Sequence, residues 1–157
     1  MNKKIVFLTT VVLLLVILAT TAFPALAARE RRIKGSLWAA ETSEVVFPTL
    51  YVDGKGSGNA TQLGRFTYSF QAEINVQTRS GPASVTLTAA NGDQLFAEGW
   101  GQATPTGKPN QVSIVEEYTI TGGTGRFAGA TGNFTVERRL DQTSGISSGT
   151  IKGYVER

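Results

Sequence analysis

"GGTGRFAGATG", Gly122–Gly132, places five glycines in eleven residues. A loop of this kind cradles phosphate when Gly-Lys and then Ser or Thr lead into a helix whose N-terminus faces the ligand. Here Gly125 is followed by Arg126-Phe127, and beyond Gly132 the chain runs Asn133-Phe134-Thr135-Val136-Glu137-Arg138. That continuation alternates apolar and polar residues as a strand does. With no helix after the glycines, both the P-loop and the dinucleotide-binding loop are excluded. The glycines join two strands.

The same period of two extends through most of the chain. From Arg65 to Gln77, Phe66, Tyr68, Phe70, Ala72, Ile74 and Val76 share one parity, which predicts a strand with one buried face. Weaker versions occur at Ser84–Ala89, Leu95–Ala103, Val112–Thr121, Asn133–Leu140 and Ile146–Val155. Ile33–Ala39 and Val45–Val52 are also expected strands, the latter with Pro48 at an edge or bulge. Turn signals separate the runs: Asp53-Gly54, Ser80-Gly81-Pro82, Asn91-Gly92-Asp93, Thr106-Gly107-Lys108-Pro109 and Ser144-Gly145. Short, evenly spaced strands make an all-β meander, and closing it removes the exposed edges. The expectation is an all-β fold: a single small antiparallel β-barrel of about eight strands over residues 28–157. Eighteen glycines suit its tight turns and bent strands.

The N-terminus reads Met1-Asn2-Lys3-Lys4, then an apolar stretch Ile5–Phe23, then Pro24-Ala25-Leu26-Ala27. A basic end, an apolar middle and an A-x-A site predict a secretory signal peptide over residues 1–27, cleaved after Ala27. The alternative is an uncleaved anchor, because the stretch is long enough to span a bilayer. The protein is therefore expected to be secreted or held in the cell envelope, touching membrane only if the segment is retained. Cleavage leaves 130 residues with 13 basic against 12 acidic side chains. One domain fits that length, and the charge balance gives no footprint for nucleic acid. The cluster Arg29, Arg31, Arg32 and Lys34 reads either as a solvated lead into the first strand or as a contact with an anionic surface.

The chain contains neither Cys nor His. Disulfides, Ser-His-Asp and Cys-His catalysis and conventional zinc sites are excluded, and no cofactor or metal is expected. Carboxylates, Tyr, Lys, Arg and backbone groups remain for chemistry.

The segment "EEYTITGGTGRFAGATGNFTVERRL", Glu116–Leu140, resembles the allene oxide cyclase and dirigent barrels. In those proteins a strand ends in Gly-Gly-[Ser/Thr]-Gly, a Phe follows, and Gly-x-x-Gly opens the next strand. The matching positions are Gly122, Gly123, Thr124, Gly125, Phe127, Gly129 and Gly132. The resemblance implies an eight-stranded antiparallel barrel with a cavity, often a homotrimer, handling small apolar or phenolic molecules. The chain departs from it in having no disulfide and no counterpart, between Arg29 and Val52, of the acidic and amide residues of plant cyclases. The loop itself reads as structural, with glycines turning the backbone and Phe127 folding back as a plug under the barrel end.

Two strands beside this loop carry charge on their apolar parity. Glu116 and Tyr118 share a face with Val112, Ile114 and Ile120; Arg138 shares one with Phe134, Val136 and Leu140. A hairpin closing near Thr121 and Thr131 sets Tyr118 opposite Phe134 and Glu116 diagonal to Arg138. Glu98 and Trp100, on the parity of Phe96, complete a candidate ligand-binding set of Glu116, Tyr118, Arg138, Glu98 and Trp100. The alternative is a bulge that inverts the parity, exposing Glu116 and Arg138 and turning Glu117 and Arg139 inward.

Three functions follow: an exported barrel binding a small, mostly apolar molecule; an isomerase or cyclase acting on such a molecule; and a noncatalytic envelope or matrix protein. The cavity separates them. A barrel filled with its own aromatic side chains supports the last, and a lined, open one supports the first two.

Overall fold

The alternating stretch forms a strand, Gly64–Asn75, whose inward residues Phe66, Tyr68, Phe70 and Ala72 are all buried. It is the third of eight in a computed structural model that describes residues 29–157. The expected signal peptide, residues 1–27, lies outside the described residues. In chain order the strands are β1 (Glu30–Val46), β2 (Thr49–Ala60), β3 (Gly64–Asn75), β4 (Ser80–Ala89), β5 (Gln94–Pro105), β6 (Gln111–Gly123), β7 (Thr131–Asp141) and β8 (Ile146–Glu156). Each pairs antiparallel with the next, and β1 pairs with β8 to close the barrel. The all-β, eight-stranded antiparallel barrel expected from alternation is the observed fold.

Three local expectations fail, for related reasons. Val45–Val52 is not one strand: β1 ends at Val46, the chain turns at the cis Phe47-Pro48 bond, and β2 starts at Thr49. Pro48 has no N–H for a ladder bond and falls between two strands instead of within one. Conversely, Asp53-Gly54 lies inside β2 and Ser80-Gly81-Pro82 opens β4.

The glycines of β2 show why. Gly54, Gly56 and Gly58 stand opposite Phe70, Tyr68 and Phe66 of β3. A Cβ on Gly54 would fall 2.1 Å from the Phe70 ring, one on Gly56 2.7 Å from the Tyr68 ring, and one on Gly58 2.5 Å from the Phe66 ring. Each glycine thus leaves the space that a ring on the next strand fills, because interiors pack to crystal-like density. The same matching recurs where Gly99 and Gly101 of β5 face Tyr118 and Glu116 of β6, and where Gly149 and Gly153 of β8 face Arg138 and Phe134 of β7.

The two barrel ends differ. At the end where β6 passes to β7, Gly122–Gly132 makes a short 3-10 turn, Gly125–Phe127, flanked by positive φ at Gly125 and Gly129. Phe127 folds under the barrel with none of its surface exposed, beside buried Leu63 and Ala130. That end is closed, as the loop reading predicts. The opposite end carries the Phe47-Pro48 corner, where Val45, Val46 and Phe47 are exposed.

Candidate functional site

β6 and β7 pair with Tyr118 opposite Phe134 and with Glu116 opposite Val136, two positions from Arg138. Both charged side chains point into the barrel: Glu116 is 5% exposed and Arg138 6%. The inverted-parity alternative is excluded, since Glu117 and Arg139 are exposed. Arg138 donates from Nε to Glu116 Oε2 and from Nη2 to Glu116 Oε1, both at 3.0 Å. Its Nη1 donates to Ser147 Oγ at 3.1 Å and also to Glu41 Oε2. The guanidinium carbon lies 4.9 Å from the centre of the Phe70 ring. A forked, planar cation is suited to this bidentate grip.

Two carboxylates facing one guanidinium leave a formal charge of −1 inside the barrel. Burial raises the pKa of Glu41, against the opposing pull of Arg138. Burial alone would lower the pKa of Arg138, but Glu116 and then Glu41 outweigh it and hold the cation charged. Burial also raises both Tyr68 and Tyr118, keeping both phenols protonated.

Sequence reasoning missed Glu41, Tyr68 and Ser147 as members of this cluster. Glu41 continues the inward parity of Ile33, Leu37 and Ala39 by one step, and Ser147 shares that of Ile151 and Val155, so extending each run would have found them. Tyr68 was legible as core, and its hydroxyl is buried without a hydrogen-bond partner.

Glu98 and Trp100 do not belong to the interior. Leu95, Ala97 and Gly101 are the buried residues of β5, Glu98 faces outward, and Trp100 is 56% exposed. The small residues of β5 take the inner face because Tyr118 and Glu116 occupy the space beside them. Size, not hydrophobicity, decides the orientation of this strand.

The internal void beside the cluster is lined by Tyr68, Phe70, Glu116, Tyr118, Phe134 and Arg138 among others, and measures about 20 Å³. That is room for about one water molecule. The Tyr118 and Phe134 rings stack at 5.2 Å across it. A wider concavity of about 1020 Å³ lies on the outer wall, across Asp53, Lys55, Gln71, Ser84 and Glu98. Most of its lining belongs to the outward faces of β1 to β6, with inward residues such as Phe70 and Val85 contributing from between them, so its size does not measure space inside the barrel. Among the described residues no three or more Asp or Glu side chains converge to hold a metal.

No family model matches the sequence, and no curated protein matches it. Among solved structures, the pterocarpan synthase dirigent protein GePTS1 is similar, with a TM-score of 0.60 at 14% identity over 88% of this chain and 94% of that one. The fold is that of a dirigent barrel. The likeness to dirigent proteins read from Glu116–Leu140 therefore holds at the level of the whole barrel.

Proposed function

We propose that the protein is an exported, noncatalytic envelope or matrix barrel whose interior is occupied by its own side chains. One observation carries this reading: the internal void is about 20 Å³, whereas sites for small organic molecules measure about 300–1,000 Å³. The polar groups inside are largely turned on one another, with Arg138 directed at Glu116, Glu41 and Ser147. Native mass spectrometry of the exported protein tests it. The chain is expected without a co-purifying organic molecule, and the same spectrum reads whether it forms the homotrimer that the dirigent resemblance suggests.

The orphaned Tyr68 hydroxyl favours a second reading, in which the barrel binds a small apolar or phenolic molecule. Glu116, Tyr118 and Arg138 would orient its polar end beside Tyr68, while its body displaced the rings now filling the void. An isomerase or cyclase is the catalytic form of this reading, with Glu41 as the buried acid. A stoichiometric adduct in the native spectrum would establish binding and sink the filled-barrel reading.

A further inference from the structure

The barrel is charged asymmetrically along its axis. Six arginines, Arg29, Arg31, Arg32, Arg65, Arg126 and Arg157, gather at the closed end, where β1 starts, β3 starts, the Phe127 loop turns and β8 finishes. On the adjoining wall Lys34 stands opposite Lys152 in the β1–β8 register, a like-charge pairing that is unfavourable without a counter-charge. Four acidic side chains share this half: Asp93, Glu98, and Glu30 facing Glu156 across the rim. The opposite half carries the other eight of the twelve acidic side chains against five of the thirteen basic ones in residues 29–157.

The cations are held close together. The guanidinium carbons of Arg126 and Arg157 lie 4.9 and 5.2 Å from the centre of the Phe127 ring, roofing the plug. Arg157 donates to Gln62 Oε1 at 3.3 Å, not to a carboxylate. Its pKa is lowered by desolvation first and then by repulsion from Arg31 and Arg126. Asp93, 3.7 Å from Arg126, is the acid nearest to hand. Most of this positive charge therefore lacks an acidic partner among the described residues.

The direction in which the chain leaves this end names the partner. Arg29 follows directly on residues 1–28, which hold the apolar stretch Ile5–Phe23. Whenever that stretch sits in a bilayer, during export or as a retained anchor, the arginine end is the part of the barrel that follows it directly in sequence. We propose that the closed end docks on an anionic phospholipid surface, its arginines meeting lipid phosphates while the more acidic end, at the Phe47-Pro48 corner, faces away. Polybasic surfaces bind such membranes with about five-fold in affinity for each cation near the headgroups. The proposal does not depend on what the interior holds.

Binding of the exported chain to phosphatidylcholine vesicles with and without phosphatidylglycerol tests this, because a retained apolar segment alone would bind both kinds alike. The expected result is a preference of at least about ten-fold for the anionic vesicles, abolished in about 1 M salt, where the screening length falls to about 3 Å. The triple variant Arg29→Gln, Arg31→Gln, Arg65→Gln should lose about a hundred-fold in that binding. All three side chains are exposed, and an unchanged melting temperature verifies the fold. Neutralising Arg79, Lys108 and Arg139 at the opposite end should leave binding unchanged. Equal binding to both vesicles, or an equal loss in the opposite-end variant, would overturn the proposal. So would release by inorganic phosphate beyond that by chloride of the same ionic strength, which would mark a site for a free anion.

Discussion

Arg138 and Glu116 meet through two parallel hydrogen bonds of 3.0 Å inside the barrel, two positions out of register on adjacent strands. Removing Arg138 leaves two buried carboxylates without their cation, which costs about 3–5 kcal/mol, whereas removing Glu116 as well leaves Glu41 alone. Arg138→Met should destabilise on that scale in denaturant unfolding, and Glu116→Gln, which leaves Arg138 paired with Glu41, should cost less. The double variant should lose much less than the sum, with Glu41 taking up a proton once its cation is gone. Glu117 and Arg139, exposed and four positions out of register, should couple by less than about 1 kcal/mol. Additive losses at Glu116 and Arg138 would show that the pair is not desolvated.

Glu41 gives the cluster a pH dependence of definite sign. Its folded pKa is raised, chiefly by burial, so the folded state holds this proton more tightly than the unfolded chain does. The stability it contributes is fully present below the unfolded value of about 4.3 and is lost as pH rises through the folded value. Urea unfolding from acid toward neutral pH should show that decline, at no more than about 1.4 kcal/mol per pH unit for one proton. Glu41→Gln should flatten it. Asp93 and Asp141, whose values are lowered, act oppositely: their contribution is present above about 3.9 and lost as pH falls through their folded values. A Gln variant with the parent's slope would remove Glu41 as its source.

Tyr68→Phe removes a buried hydroxyl that has no partner and leaves the stacked ring in place. Leaving such a group unsatisfied costs about 1–3 kcal/mol, so the variant should unfold at higher denaturant. A loss of stability would mean that the hydroxyl is satisfied in solution, which favours the second, ligand-binding reading.

The barrel was legible because Arg65–Gln77 and Val112–Thr121 alternate large apolar and polar residues, a pattern that one buried face imposes on a strand. The Glu116–Arg138 pair was legible for the same reason: charge on an apolar parity, in a hairpin whose register the glycine loop sets. β2 was not, because its inward Gly54, Gly56 and Gly58 carry no hydrophobic signal and resemble turn residues. β5 misled in the same way, since Gly99 and Gly101 face inward while Trp100 faces out. Parity read from hydrophobicity alone fails wherever a strand's role is to leave room. That role belongs to the pair of strands, and only the register between them reveals it.

Gly54 tests this account directly. It stands opposite Phe70, and a Cβ there would fall 2.1 Å from the ring. The ring cannot give way freely, because it packs against Tyr68 at 6.0 Å and against the Arg138 guanidinium at 4.9 Å. Gly54→Ala should therefore cost about 1–3 kcal/mol through overpacking, although Ala is otherwise the better residue for an ordered strand. The enlarging change can be compensated: with Phe70→Leu in the same chain, the added methyl gains space and should cost less than it does alone. Denaturant unfolding of the two single variants and the double variant measures this. If Gly54→Ala is neutral or stabilising, the glycine is not there to admit the ring, and the small-against-large matching across β2 and β3 is not what determines their register.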